Sequence, residues 1–325
     1  MHNRIILILA IAAATSCGRA VRPQPLHKGD RVAIVAASYW MPDSTVSKAC
    51  DCLREFGLEP VVADNVSWQM PVSDTVNRSY YAGTPAQRAD GLLRALKDDS
   101  IKAIICSRGG YGAIQTLQEL DIREFRRHPK WIVGYSDVTA LHLACVKAGV
   151  MSIHGNMASS LAAGGLEEEG NREMLEVLMG KRPHYEIPAS PYNAEGEASG
   201  VLVGGNMITM MTLLGSDYDC IADRDCILLI EEIEESMHAI DRLFNMLLLQ
   251  GRMKNVKGIV FGDFTDCGTE FAYESVEAML STYLPGFDIP VAFGFAAGHG
   301  ELNLPLIEGA PTILTVTGRN AILAQ

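Results

Sequence analysis

The segment Arg31-Val-Ala-Ile-Val-Ala-Ala37 is a short, continuous apolar run, and it constrains the fold more than any other feature of the chain. A strand with one wet face alternates apolar and polar residues, whereas a strand buried on both faces of a parallel sheet reads as unbroken hydrophobicity. Parallel strands need crossover connections, usually helices, and the sequence supplies one. Asp43 or Ser44 can cap a helix in which Val46, Cys50, Leu53 and Phe56 share a face, and Gly57 suits the left-handed position at its end.

The alternation repeats. Thr84-Pro85-Ala86-Gln87 combines an N-cap, a proline at the first helical position and a glutamine three places after the cap, opening a helix that carries Leu92, Leu93 and Leu96. A strand over Lys102–Cys106, a Gly-rich turn, a helix to about Leu120, a strand over Trp131–Tyr135 and a helix over Asp137–Lys147 follow. This order indicates an open α/β sheet. After a charged, Gly- and Pro-containing stretch, strands are expected at Cys226–Ile230, Gly258–Phe261, near Val291 and at Thr312–Val316, with helices at Ser236–Leu249 and near Glu274–Tyr283. A chain of 325 residues exceeds the usual size of one core. The expected plan is an N-terminal α/β domain over 26–163, with an open, mostly parallel sheet and flanking helices, a linker over 164–197 and a second α/β domain over 198–325.

Composition narrows the function. With 48% hydrophobic and 20% charged residues the chain is an ordered globular protein. Net charge is −12 with Lys and Arg scattered, which argues against nucleic acid as a partner. The run Glu167-Glu168-Glu169 reads as a solvated turn or helix start rather than a metal site, and neither metal nor cofactor is expected. Cys106, Cys145 and Cys226 sit in apolar runs as core thiols, and Cys50-x-Cys52 lacks the gap of a zinc or redox motif; a Cys220–Cys226 pair stays open.

Residues 1–17 have the form of a signal peptide: His2 and Arg4, the apolar stretch Ile5 to Ala13, then Ala14-Thr15-Ser16 before Cys17. The small residue before Cys17 resembles a bacterial lipoprotein processing site, with Cys17 lipidated. The expected location is the periplasm or a membrane reached only through the signal peptide or lipid anchor.

Three places could carry chemistry. In Trp131-Ile-Val-Gly-Tyr-Ser136-Asp-Val-Thr, a buried strand delivers Ser136 into a sharp turn before a helix, as in a nucleophile elbow, with the Asp137 N–H facing a developing oxyanion. The plain alternative is that Ser136 caps the helix. Ser107-Arg-Gly109-Gly110-Tyr111-Gly112 frees backbone N–H groups for close approach to a ligand but lacks the dinucleotide spacing, so Gly109 or Gly110 is better suited to serve the oxyanion. For a base, His299 in Gly298-His-Gly300 lies on a loop after a strand, with His154 as competitor. Glu231, at the end of Leu228-Leu-Ile230, could orient the base or could join Glu232, Glu234 and Glu235 in a helix's first turn.

Taken together these segments resemble the LD-carboxypeptidase family, which includes microcin-immunity peptidases. The matching stretches are Leu26-x-x-Gly29-Asp30, Tyr81-Ala-Gly-Thr84 with Arg88, Arg108 to Gly112, Gly134-Tyr-Ser-Asp137, His154-Gly155, Gly204-Gly-Asn206, Glu231 with Ile240-Asp-Arg242, and Gly298-His-Gly300. The resemblance implies Ser136 as nucleophile, His299 as base, Glu231 as its orienting carboxylate, and oxyanion donors at Asp137 and Gly109 or Gly110. It implies removal of a terminal D-alanine from a murein tetrapeptide or a related D-amino-acid-terminated peptide, with Arg108, Tyr111 and Arg242 as substrate-binding candidates, and a possible homodimer. Two other readings stand beside it: cleavage of a peptidyl-nucleotide, with Trp40 or Trp68 stacking on a base, and a lipoprotein that binds muropeptides without cutting them. The chain departs from the family pattern at Glu232, where Asp is common, at Asn156, where Pro is common, and in its export signal.

Overall fold

A computed structural model describes residues 20–70, 80–221, 223–268 and 272–325. The expected signal peptide and Cys17 lie outside the described residues. In chain order the strands are β1 (Arg31–Val35), β2 (Glu59–Val62), β3 (Ile101–Cys106), β4 (Trp131–Gly134), β5 (Ser152–His154), β6 (His184–Pro188), β7 (Gly196–Asn206), β8 (Cys226–Ile233), β9 (Val256–Thr265), β10 (Val291–Phe293), β11 (Leu306–Glu308), β12 (Pro311–Val316) and β13 (Asn320–Ala324).

They build two sheets of a two-domain α/β protein. The first has the order β11-β5-β4-β3-β1-β2, parallel except for the antiparallel edge strand β11. All four residues of β4 are buried, as an unbroken apolar run requires when helices cover both faces. The second has the order β10-β9-β8-β7-β12-β13-β6: β7 to β10 run parallel, and β12, β13 and β6 extend it antiparallel. In open sheets of this kind ligands bind beyond the carboxyl ends of the strands. The turn carrying Ser136 lies there after β4, and the loop carrying His299 follows β10.

The helix Pro85–Lys97 starts with the expected capping box between Thr84 and Gln87. The helix Asp43–Phe56 differs: Pro42 precedes it, and neither Asp43 nor Ser44 caps it through a side chain. Asp43 instead places its charge in the first turn, where the helix dipole favours it. Gly57 closes that helix in the left-handed conformation at φ 98°.

The stretch 164–197, expected as a linker, holds the helix Glu169–Leu178 and strand β6. Met174, Leu175, Val177 and Leu178 join the buried core shared by β1, β4 and β5, while Arg172, Glu173 and Glu176 lie on the more exposed side. Its charged outer face gave the segment the composition of a loop. The chain later crosses back, because β11 leaves the second domain and pairs with β5, Leu306 opposite His154. The fully buried helix segment Thr139–Val146 packs with Val203, Met207, Met210 and Leu228 of the second domain in one continuous apolar core. All seven cysteines among the described residues are free, Cys220 and Cys226 included.

Candidate active site

Ser136 adopts φ 63°, one of three non-glycine residues with positive φ among those described. That conformation costs an L-residue roughly 1–2 kcal/mol, and the surroundings enforce it. Gly134 leaves room for Val138, whose side chain would lie 2.8 Å from any Cβ at 134. A short 3-10 turn over Ser136–Val138 then leads into the helix Thr139–Ala148, so the helix starts two residues later than expected. The buried Asp137 side chain ties this turn to its neighbours: Oδ2 accepts from Ser38 Oγ after β1 and from the Ala113 N–H, 2.8 Å away, after β3. Burial raises its pKa against these hydrogen bonds.

The Gly-rich loop lies directly against the serine. A Cβ at Gly109 would stand 3.0 Å from Ser136 Cβ and 3.1 Å from its Oγ. The N–H groups of Gly109, Gly110 and Asp137 are bonded to no described backbone carbonyl. The loop rests on Arg88, which is fully buried and forms no ion pair with a described carboxylate; it donates to the carbonyls of Gly83 (2.7 Å) and Gly112 (3.3 Å) and to Thr116 and Gln115.

Glu231 and His299 come from the other domain. His299 Nδ1 lies 2.8 Å from Glu231 Oε2, so the ring donates from Nδ1 and presents Nε2 as the basic nitrogen. Glu231 is completely buried and sits inside β8 rather than beyond its end. The pairing of β8 with β9 shifts register between Ile230 and Glu232, and a bulge of this kind re-aims a side chain. Burial alone would lower the His299 pKa, but the Glu231 hydrogen bond and the charges of Glu231, Glu232 and Asp263 leave it raised. The Tyr135 ring lies 4.9 Å from the His299 ring, which brings His299 against the residue preceding Ser136. No hydrogen bond links Ser136 Oγ to His299 among the described residues; such contacts often tighten only when substrate binds.

His154 is fully buried and its pKa is driven down to about 3 by burial and by His142 and His299. It occupies the core beneath the site, with its ring 6.2 Å from that of Tyr135. Glu232 is also buried and holds structure: its oxygens accept from Asn206 Nδ2 (2.7 Å) and the Ile208 N–H (2.8 Å). Asn206 in turn accepts from the Thr209 N–H and caps the next helix.

Arg108 and Tyr111 are both exposed beside the glycine loop, with the Arg108 guanidinium 5.7 Å from the Tyr39 ring centre. Arg242 stands exposed on the helix Met237–Leu249 and forms no hydrogen bond or ion pair with a described residue. The aromatic surface here is tyrosine: Tyr39 stacks on Tyr80 at 5.3 Å, and Tyr81 lies between Tyr39 and Tyr111. Trp68 lines a separate cavity of about 380 Å³ with Asn65, Gly91 and Ala95.

One site group carried no sequence signal. Asp263 on β9 accepts from the Gly300 N–H, 3.2 Å away, and burial pushes its pKa up to about 6. Asp263 lies in an ordinary strand, Val256–Thr265, and the bond of its N–H to the Ala297 carbonyl (2.9 Å) brings the His299 loop beside it.

Residues 32–155 match the LD-carboxypeptidase N-terminal domain and residues 199–314 the LD-carboxypeptidase C-terminal domain. A carboxypeptidase homologue of Streptomyces coelicolor is 33% identical over 298 residues, 90% of this chain and 93% of that one. The murein tetrapeptide carboxypeptidase of Pseudomonas aeruginosa is 28% identical over 87% of this chain and 92% of its own length. The crystal structure of a muramoyltetrapeptide carboxypeptidase from Oxalobacter formigenes superposes with a TM-score of 0.79 at 25% identity, covering 90% of this chain and 98% of that one.

Proposed function

This chain belongs to the LD-carboxypeptidase family, and from that premise we propose that it is a serine carboxypeptidase that removes the terminal D-alanine from murein tetrapeptides. The observation that carries the reading is the 2.8 Å contact of His299 Nδ1 with buried Glu231, set beside a serine held at φ 63°. In the proposed mechanism His299 Nε2 takes the Ser136 proton as Oγ attacks the carbonyl of the L,D-amide. The oxyanion is met by the N–H groups of Asp137 and of Gly109 or Gly110. His299 then protonates the departing amine, and water, deprotonated by the same ring, releases the acyl group from Ser136. Glu231 keeps the proton on Nδ1 and stabilises the imidazolium. Exposed Arg108 is placed to meet a substrate carboxylate, with Tyr111 beside it.

The test is mass spectrometry of a disaccharide tetrapeptide incubated with the purified protein and with Ser136→Ala. Loss of one alanine with the wild type alone supports the reading. An intact tetrapeptide in both, with cleavage of a peptidyl-nucleotide or with saturable binding alone, sinks it. We further infer export and lipidation at Cys17; incorporation of labelled fatty acid that disappears in Cys17→Ser is the expected result.

A further inference from the structure

The loop that bears His299 is anchored to the first domain by a buried run of hydrogen bonds. It begins at Glu168, whose carboxylate caps the helix Glu169–Leu178 by accepting from the N–H groups of Gly170 (3.0 Å) and Asn171 (2.6 Å). Asn156 Nδ2 donates to Glu168 Oε2 (2.8 Å) and to Asn171 Oδ1 (2.9 Å). Asn156 Oδ1 accepts from Asn303 Nδ2 (3.1 Å), and Asn303 Oδ1 accepts from the N–H of Gly298 (3.0 Å), the residue before His299. All three asparagines are buried. Asn171 is itself fixed by donating to the carbonyls of Ser160 and Gly165.

We propose that Asn156 and Asn303 are positioning residues that transmit the rigid frame of the first domain to the catalytic loop, fixing His299 against Glu231. Three observations support a mechanical link. Gly298 is held at φ 123°, a conformation that the Asn303 acceptor locks from one side and the Glu231 side chain from the other. The start of the helix Glu169–Leu178 abuts the same loop so closely that a Cβ at Gly170 would lie 2.6 Å from the Asn303 carbonyl oxygen. The bond Asn156–Asn303 joins residues 147 positions apart, from opposite sides of the domain junction. A proline at 156 has no side-chain amide to bridge these partners, so the device belongs to the asparagine in this chain. A fully satisfied buried polar network of this kind specifies one arrangement, and a broken one leaves its members unpaired.

The inference rests on His299 acting as the base, so its test includes a measurement that needs no substrate. In full-length Ser136→Ala protein labelled with 15N-histidine, the His299 ring is titrated by NMR, alone and with Asn303→Ala or Asn156→Leu added. The groups facing His299 are Glu231 and Glu232 on β8, Asp263 on β9, Tyr135 and His154. A ring that drifts from Glu231 titrates at lower pH, toward the ordinary histidine value. The expected result is that downward shift in both variants, with kcat on the tetrapeptide ten- to a hundredfold lower and KM within twofold when the same changes are made in active enzyme. Wild-type titration in folded variants, or lost thermal stability with titration and kcat unchanged, overturns the proposal. Should neither variant fold, amide exchange of the unsubstituted protein decides: slow exchange at Gly298 supports the link and rapid exchange refutes it.

Discussion

Glu231 occupies the space that a side chain at Gly298 would need: a Cβ at 298 would lie 2.6 Å from Glu231 Oε2, the oxygen that accepts from His299. Space for the Glu231 carboxylate therefore depends on a glycine next to His299, and the same glycine adopts a φ that side chains rarely tolerate.

Gly298→Ala is accordingly expected to displace Glu231 or the His299 loop. A misplacement of about 1 Å costs on the order of a hundredfold in rate. Steady-state kinetics should show that loss mainly in kcat, and wild-type kcat would show that the contact has slack.

Ser136→Ala and Ser136→Gly should both be inactive, with kcat lower by at least about 10⁴, yet differ in stability. Alanine keeps the strained φ of 63° and glycine relieves it. Denaturant midpoints should place the glycine variant about 1 kcal/mol above the alanine variant. Equal midpoints would mean that the turn is not strained.

With His299 as the proposed base, its neutral form is the active one, and the acid limb of the kcat/KM profile should lie above the ordinary histidine value, because the neighbouring carboxylates outweigh the lowering effect of burial. Asp263→Asn removes one of those carboxylates. The limb should move to lower pH, and a limb that stays in place would remove Asp263 from the site's electrostatics.

Glu308 on β11 is completely buried; among the described residues its Oε2 accepts only from the Gly204 N–H at 3.2 Å, and burial pushes its pKa up to about 8. A folded-state pKa raised above the unfolded value means stability that is complete at low pH and lost as pH climbs through 8. Glu308→Gln removes the ionisation. Thermal melts should coincide near pH 5 and favour the variant by several degrees at pH 9, and parallel curves across that range would refute the assignment.

The local sequence marked β1, β3 and β4, three inner strands of the first sheet, and left β2, β5 and β11 unmarked. Unbroken apolar runs at Val32–Val35 and Trp131–Gly134, bounded by turn residues, read as strands buried on both faces, and the Thr84–Gln87 box marks its helix because capping needs residues just three positions apart. Ser136 after β4 and His299 after β10 stood out in short motifs beyond strand ends, whereas Glu231, expected at a strand end, lies inside β8. The helix Glu169–Leu178 was missed because its solvent face outweighed its apolar one in composition, although Met174, Leu175, Val177 and Leu178 kept helical spacing.

Tertiary structure alone decided that β11 returns to the first sheet, that a bulge turns Glu231 toward His299, that Asp263 joins them, and that Asn156 reaches Asn303. Local patterns record what a residue needs from its near neighbours along the chain. A hydrogen bond across 147 positions is selected by packing of whole elements, and no periodicity in the sequence marks it.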